Sequence, residues 1–117
     1  MVLMITNSSK KKILVKKHEE CRSVFSKAKG LMFSFPIKNN GLVFVFDMEK
    51  RIDLHMFFVF YPIDLIFLDK NKRIIEMKDK FMPFTFYTSR KKAKYTIELP
   101  YGTIKKSNSK IGDKIKW

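Results

Sequence analysis

Continuous runs of apolar residues, separated by short polar segments, dominate the pattern of this chain. Leu42–Phe46 is entirely apolar, Leu54–Phe60 contains one histidine, and Ile63–Leu68 is broken by a single aspartate. Such runs without alternation are typical of strands that are buried on both faces at the centre of a sheet. The polar segment Asp69–Lys72 predicts a hairpin turn into a further strand, Arg73–Met77. These four strands form the predicted core.

Other segments predict strands nearer the surface. Ile13–Val15 lies between lysines, as edge strands often do. Apolar and polar positions alternate from residue 93 to residue 99, and Ile115 and Trp117 end the chain in the same manner. This period of two predicts a strand with one buried and one solvent-exposed face. The predicted buried residues are Ala93, Tyr95, Ile97 and Leu99, and the predicted exposed residues are Lys94, Thr96 and Glu98.

One segment, Glu19–Lys29, has the periodicity of a helix. Glutamates lie in its first turn and lysines in its last, where the helix dipole favours each charge, and Gly30 follows as a stop signal. Its apolar residues recur at the spacing that lines one helix face. We expect that face to pack on the core. Its members are Cys21, Val24, Phe25 and Ala28.

Together these patterns predict a mostly β (α+β) fold: a compact, barrel-like antiparallel β domain with one short helix packed against it. At 117 residues, with 45% hydrophobic and 15% aromatic residues, the chain is expected to form a single domain over residues 1–117. Residues 1–11 are left open as a flexible N-terminal extension. The lone Cys21 and the lack of an export signal predict a cytoplasmic protein, and Met56–Leu68 is too short for a membrane helix.

The charge balance is strongly basic. Twenty-five Lys and Arg residues against eleven Asp and Glu residues give a net charge of +14. Either this charge attracts a polyanion, or it follows from a Lys-rich, Gln-free composition that would also suit a hot environment. The residues that we expect to contact phosphates, in weak and non-specific nucleic-acid binding, are Arg90, Lys91, Lys92, Lys94, Lys105 and Lys106. The alternative is that these lysines only guard strand edges against aggregation.

An ordered set of short motifs resembles domain-of-unknown-function family 192, in its archaeal variety. The matching segments are Gly30–Phe33, Gly41–Phe46, His55–Phe58, Pro62–Asp69, Glu98–Pro100 with Gly102, and Ile111–Ile115. Many bacterial members have Trp-Met-Lys-Asn where this chain has His55–Phe58, so a polar site in those members would be altered here. The resemblance implies a barrel-like β domain with a packed helix, and it implies no agreed activity.

Candidate chemistry centres on the third and fourth of these motifs. His55 with Asp64 could act as an acid–base pair, and the ligand-binding candidates are His55, Met56, Phe58 and Asp64. The alternative is that Asp64 accepts backbone hydrogen bonds and Asp69 begins the hairpin turn. Neither a metal-ligand spacing nor a phosphate-binding glycine loop is present, so we predict no metal and no cofactor.

The sequence therefore favours a non-enzymatic binding module for a small molecule, a partner protein or a polyanion. The alternative is a hydrolase or lyase that uses His55 and Asp64. The sequence leaves the oligomeric state open.

Overall fold

The computed structural model describes residues 4–21, 40–55 and 61–117. No helix in these ranges is long and apolar enough to cross a bilayer. The elements are β1 (Ile5–Asn7), β2 (Lys12–Val15), β3 (Lys17–Cys21), β4 (Asn40–Lys50), β5 (Asp53–His55), β6 (Ile63–Leu68), β7 (Ile74–Phe81), β8 (Phe86–Thr88), β9 (Ala93–Pro100), α1 (Thr103–Ser107) and β10 (Ile115–Lys116).

A five-stranded sheet with the order β3-β4-β9-β6-β7 forms the centre of the fold. The two continuous apolar runs are its strands β4 and β6, and all six residues of β6 are buried, as predicted. The predicted hairpin joins β6 to β7, where the Asp69 carboxylate accepts hydrogen bonds from the backbone N–H groups of Asn71 and Arg73. The segment Leu54–Phe60 falls partly in β5, and residues 56–60 lie outside the described ranges.

Each face of this sheet buries a separate hydrophobic cluster. We call the first the aromatic face; its side chains from β4 and β6 are Leu42, Phe44, Phe46, Ile63, Leu65 and Phe67. We call the second the aliphatic face; its side chains from β4, β6 and β9 are Val43, Val45, Ile66, Leu68, Ile97 and Leu99. A three-stranded sheet with the order β10-β1-β2 packs on the aliphatic face. The β5–β8 ribbon contributes Tyr87 to the cluster on the aromatic face.

Asp64 anchors α1 and a bulge in β7 to the edge of the aliphatic face. One carboxylate oxygen accepts the backbone N–H of Lys80 at 3.1 Å, at an irregularity in the β6–β7 pairing. The other oxygen accepts the N–H groups of Gly102 (3.1 Å) and Ile104 (2.9 Å) at the start of α1. Gly102 has φ 94°, a conformation that glycine adopts without strain. Asp64 is fully buried and accepts backbone hydrogen bonds, as the structural interpretation of the sequence predicts.

The beginning of the chain is part of the packed structure. β1 is the central strand of its sheet and pairs with both β2 and β10. Its residue Asn7 is fully buried and donates hydrogen bonds to Ser109 (3.0 Å) and Asp113 (2.9 Å). Burial alone would raise the pKa of Asp113, but the hydrogen bonds from Asn7 and from the backbone N–H of Lys110, with the nearby Lys10 charge, lower it. Residues 5–7 are therefore held by contacts on both sides of β1.

The predicted helix at Glu19–Lys29 is wrong at its start. Residues 17–21 form β3, which pairs in parallel with β4, from Lys17 opposite Asn40 to Cys21 opposite Phe44. Pairing with a buried strand outweighs the dipole and periodicity signals, which are weak priors. The rest of that segment, with Val24, Phe25 and Ala28, lies outside the described residues. Within residues 4–21, 40–55 and 61–117, the helix is α1, which packs near β2.

The mostly β fold class with one short helix is confirmed, with two corrections. No barrel closes among the described strands, which form open sheets with the orders given above, and the β3–β4 pairing is parallel. In addition, β9 has no solvent-exposed face. It lies between β4 and β6, and its residues Thr96 and Glu98 are buried.

Replacing Asp64 with Asn should destabilise the protein. The Asn side chain has only one acceptor oxygen. Its NH₂ group would take the place of the other carboxylate oxygen and would point at a backbone N–H, so at least one hydrogen bond would be lost. We expect a loss of about 2–3 kcal/mol in the free energy of unfolding, the cost of a buried donor left without its charged partner. Thermal and urea unfolding of Asp64→Asn measure this. The exposed Asp47→Asn variant is the control, and an equal stability of wild type and Asp64→Asn would contradict the anchoring role.

Candidate functional site

Two polar side chains of β9 lie on the aromatic face. In the sheet register, Glu98 is opposite Leu42 of β4 and Leu65 of β6, and Thr96 is opposite Phe44 and Phe67. Residues that pair across strands project from the same face. The carboxyl group and the hydroxyl group are therefore surrounded by apolar and aromatic side chains.

Tyr61 brings a third polar group to this face, just before β6. Its ring packs against the aromatic-face cluster, and its hydroxyl lies close enough to Glu98 for the ionised form of that carboxyl group to raise its pKa. Among the described residues, three buried side-chain atoms lack a hydrogen-bond partner: the Tyr61 hydroxyl, Thr96 Oγ1 and Glu98 Oε2. We call Tyr61, Thr96 and Glu98 the polar triad. Thr96 and Glu98 project from the aromatic face, and Tyr61 packs against the cluster on that face.

The surroundings of the triad keep its two titratable groups, Glu98 and Tyr61, in their neutral forms. Burial raises the pKa of Glu98 from 4.5 to about 8, so the carboxyl group carries its proton at neutral pH. Burial, with a smaller effect from Glu98, raises the pKa of Tyr61 to about 12. The triad thus presents three uncharged hydroxyl-type groups, each able to donate and to accept a hydrogen bond.

The side of the aromatic face away from Tyr61 is fixed by a second buried glutamate. The Tyr87 ring packs 5.8 Å from the Phe67 ring, and its hydroxyl donates a hydrogen bond to Glu76. Glu76 also accepts the backbone N–H groups of Arg90 (2.8 Å) and Lys91 (3.0 Å). Unlike Glu98, this carboxylate is therefore fully engaged, and it is a structural anchor for the loop that precedes β9.

The sequence-predicted ligand residues do not form this site. Asp64 lies at the edge of the opposite, aliphatic face, where three backbone N–H groups occupy its carboxylate. His55 ends β5, opposite Phe86 of β8, and its side chain is outside the description. Met56 and Phe58 also lie outside the described residues. Their assignment to a ligand site, and that of His55 to catalysis, stay predictions.

The predicted phosphate-binding residues lie in two places. Arg90, Lys91 and Lys92 are exposed in the loop before β9, and Lys94 in β9 donates to the carbonyl of Asp47 at 3.0 Å. Lys105 and Lys106 are exposed on α1, which follows the opposite end of the same strand.

The triad escapes sequence reasoning because its members look ordinary in the pattern. Thr96 and Glu98 occupy the polar positions of an alternating strand, and Tyr61 stands beside a proline. The available signal is the position of β9 in the sheet. A strand that lies between two strands with apolar side chains on both faces cannot keep a solvent-exposed face. The described residues contain no cluster of three or more His, Cys, Asp or Glu side chains suited to a metal ion.

The sequence profile of domain-of-unknown-function family 192, described as "Uncharacterized ACR, COG1430", matches residues 4–117. The chain belongs to this family. A UPF0127 protein of Thermococcus sibiricus is 37% identical over 116 residues, which cover 97% of this chain and 74% of that protein. A UPF0127 protein of Pyrococcus horikoshii is also 37% identical, over 97% of this chain and 98% of its own length. These relatives confirm an archaeal-type member.

Two crystal structures share the fold. A protein of unknown function from Novosphingobium aromaticivorans has a TM-score of 0.85 at 23% identity, over 97% of this chain and 82% of that one. A protein described as a putative transcription regulator from Sinorhizobium meliloti has a TM-score of 0.85 at 20% identity, over 97% and 89% of the two chains. At these identities the likeness establishes the architecture alone.

The buried Glu98 predicts a loss of stability with rising pH. The folded protein holds the proton with a pKa of about 8, whereas the unfolded chain releases it near 4.5. The contribution of Glu98 to the free energy of unfolding is therefore fully present below about pH 4.5 and is lost as the pH rises to about 8. The total loss is a few kcal/mol, at roughly 1.4 kcal/mol per tenfold change in proton affinity. In Glu98→Gln this fall should be missing. Urea unfolding at several pH values checks this, and the exposed Glu49→Gln variant should keep the wild-type slope. An unchanged slope in Glu98→Gln would contradict the buried, protonated state.

Proposed function

We propose that the domain is a binding module for a small, uncharged molecule with an apolar body and a carbonyl-type hydrogen-bond acceptor. The ligand would enter at the half-buried end of the aromatic face, beside Leu42 and Tyr61, and bind the polar triad. The observation that carries this proposal is the presence of three unpartnered buried polar atoms at the aromatic face. We also infer that the protein acts in the cytoplasm, because its lone Cys21 suits a reducing compartment.

The triad lowers the stability of the protein, which supports a role in binding. A buried polar atom without a partner costs about 1–3 kcal/mol, and native proteins rarely keep such atoms. Apolar residues of similar shape would fill the same places at no such cost. A ligand that supplies the missing hydrogen bonds would recover this free energy in its binding.

The chemistry of the lining favours a neutral ligand. Glu98 is protonated at neutral pH, so its O–H can donate a hydrogen bond to a ligand, as the hydroxyl groups of Thr96 and Tyr61 also can. A carbonyl oxygen accepts two such donors, whereas an ionic group would have to leave water for an apolar, aromatic environment. Leu42 and Tyr61 beside Glu98 are only half-buried, so this end of the aromatic face lies close to solvent.

The catalytic alternative, a hydrolase or lyase that uses His55 and Asp64, has less support. An acid–base group needs a lone pair or proton that is free to reach the substrate. Both oxygens of Asp64 accept backbone hydrogen bonds, and the residue is fully buried. We therefore place recognition, rather than acid–base chemistry, first.

Substituting Thr96 with Val should stabilise the protein, by about 1 kcal/mol, because the change removes an unpartnered hydroxyl and keeps the shape. The matched control is Thr103→Val. The Thr103 hydroxyl is also buried but donates to the carbonyl of Pro100 at 2.6 Å, so its loss should destabilise. Thermal unfolding of both variants measures the two shifts. A loss of stability in Thr96→Val would show that its hydroxyl is satisfied and would remove one member of the triad.

Benzamide should bind the wild-type protein more tightly than toluene, which has a similar ring and no acceptor. Chemical-shift changes in ¹H–¹⁵N spectra during titration measure both affinities and locate the site. In Glu98→Leu the preference for benzamide should fall by about tenfold, the value of one hydrogen bond. Equal binding of the two probes, or shifts confined to residues away from Thr96 and Glu98, would overturn the proposal.

A further inference from the structure

One end of the five-stranded sheet gathers basic residues from segments that are far apart in the sequence. We call it the basic end. Its exposed members are Lys50, Arg51, Lys70, Arg73, Arg90, Lys91 and Lys92. No single stretch of the sequence contains this group, because the fold assembles it from three loops.

The strand connections bring these three loops together. Lys50, at the end of β4, pairs with Ala93, at the start of β9, so residues 50–51 lie beside residues 90–92. The backbone N–H of Lys70 in the β6–β7 hairpin donates to Glu49 at 3.2 Å, which joins the hairpin to the same end of β4. Arg73 also forms an isolated antiparallel β-bridge with Lys114, just before β10, so Lys114 adds a further cation beside the basic end.

The carboxylates at this end do not pair with these cations. Glu49, Asp69 and Glu76 each accept backbone N–H groups instead. A close ion pair in the described ranges joins Lys10 to Asp113 (3.8 Å), and neither residue belongs to the basic end. Arg73 donates to the carbonyl of Gly112 at 3.0 Å, and Lys50 lies over the Phe46 ring, but neither contact neutralises the charge. The basic end therefore keeps its positive charge for a negatively charged partner.

From this arrangement we infer that the basic end binds the phosphate backbone of a nucleic-acid duplex without sequence preference. Repeated exposed Lys and Arg side chains on loops suit closely spaced phosphates. Single strands are less suited because they need free aromatic faces for stacking. Among the described rings near this end, Lys72 covers Trp117 (3.9 Å to the ring centre) and Lys50 lies over Phe46 (5.0 Å).

This inference separates the predicted phosphate-binding residues into two groups. Arg90, Lys91 and Lys92 belong to the basic end. Lys105 and Lys106 follow the other end of β9, beyond Pro100, which pairs with Ile63 at the start of β6. The two groups allow a comparison in which the net charge of the protein changes equally and only the position of the lost charge differs.

The experiment measures binding of a fluorescent 20-base-pair duplex of arbitrary sequence across several KCl concentrations. Wild type should bind with a non-specific Kd of about 10⁻⁴–10⁻⁶ M near physiological salt, and the logarithm of the affinity should fall linearly with the logarithm of the salt concentration. The double variant Lys91→Gln/Lys92→Gln should make this slope shallower by about two. The double variant Lys105→Gln/Lys106→Gln should leave it unchanged.

Three results would overturn the inference. Equal effects of the two double variants, with thermal stability unchanged in both, would assign binding to net charge rather than to the basic end. Tighter binding to the unpaired strand than to the duplex would contradict the duplex assignment. Displacement of the duplex by phosphatidylserine vesicles at a lower phosphate concentration than by unlabelled duplex would assign the surface to a membrane.

Discussion

The pairing of β9 with both β4 and β6 is the constraint on which the rest of the structure depends. A strand in this position can expose neither face to water, because both neighbours are apolar runs that need cover on both sides. Its apolar residues Ile97 and Leu99 join the aliphatic face, and its polar residues Thr96 and Glu98 are carried into the aromatic face. The polar triad is therefore a direct result of strand order.

Asp64 and Glu98 are buried carboxyl groups on the neighbouring strands β6 and β9, and their surroundings differ. Burial raises the pKa of Asp64, and the backbone N–H groups that surround it, from β7 and the start of α1, oppose part of that rise. Glu98 meets apolar side chains, and burial acts on it unopposed. The first group stabilises local structure, whereas the second costs stability unless something else supplies a hydrogen bond. That contrast, more than the identity of either residue, separates an anchor from a recognition group.

The local pattern of apolar and polar residues predicts the strands that adjacent residues encode. It fails where contacts with strands distant in the sequence set the structure. The runs at Leu42–Phe46 and Ile63–Leu68, and the hairpin at Asp69, are encoded by adjacent residues and are found where the pattern puts them. The start of the predicted helix fails because parallel pairing with β4, an interaction with residues about twenty positions away, sets the conformation of Glu19 and Glu20. The polar triad was missed for the same reason, since the burial of Glu98 depends on which strands flank β9.

The pairing of β1 with β10 also bears on how the fold is reached. Ile5–Asn7 pairs with Ile115–Lys116, and the Asn7 side chain donates a hydrogen bond to Asp113, 106 positions further along the chain. Until residues 113–116 have been synthesised, the buried Asn7 and one edge of β1 have no partner. The sheet that covers the aliphatic face can therefore be completed only after β10 has been made. Completing the structure depends on contacts of very high sequence separation, which form slowly.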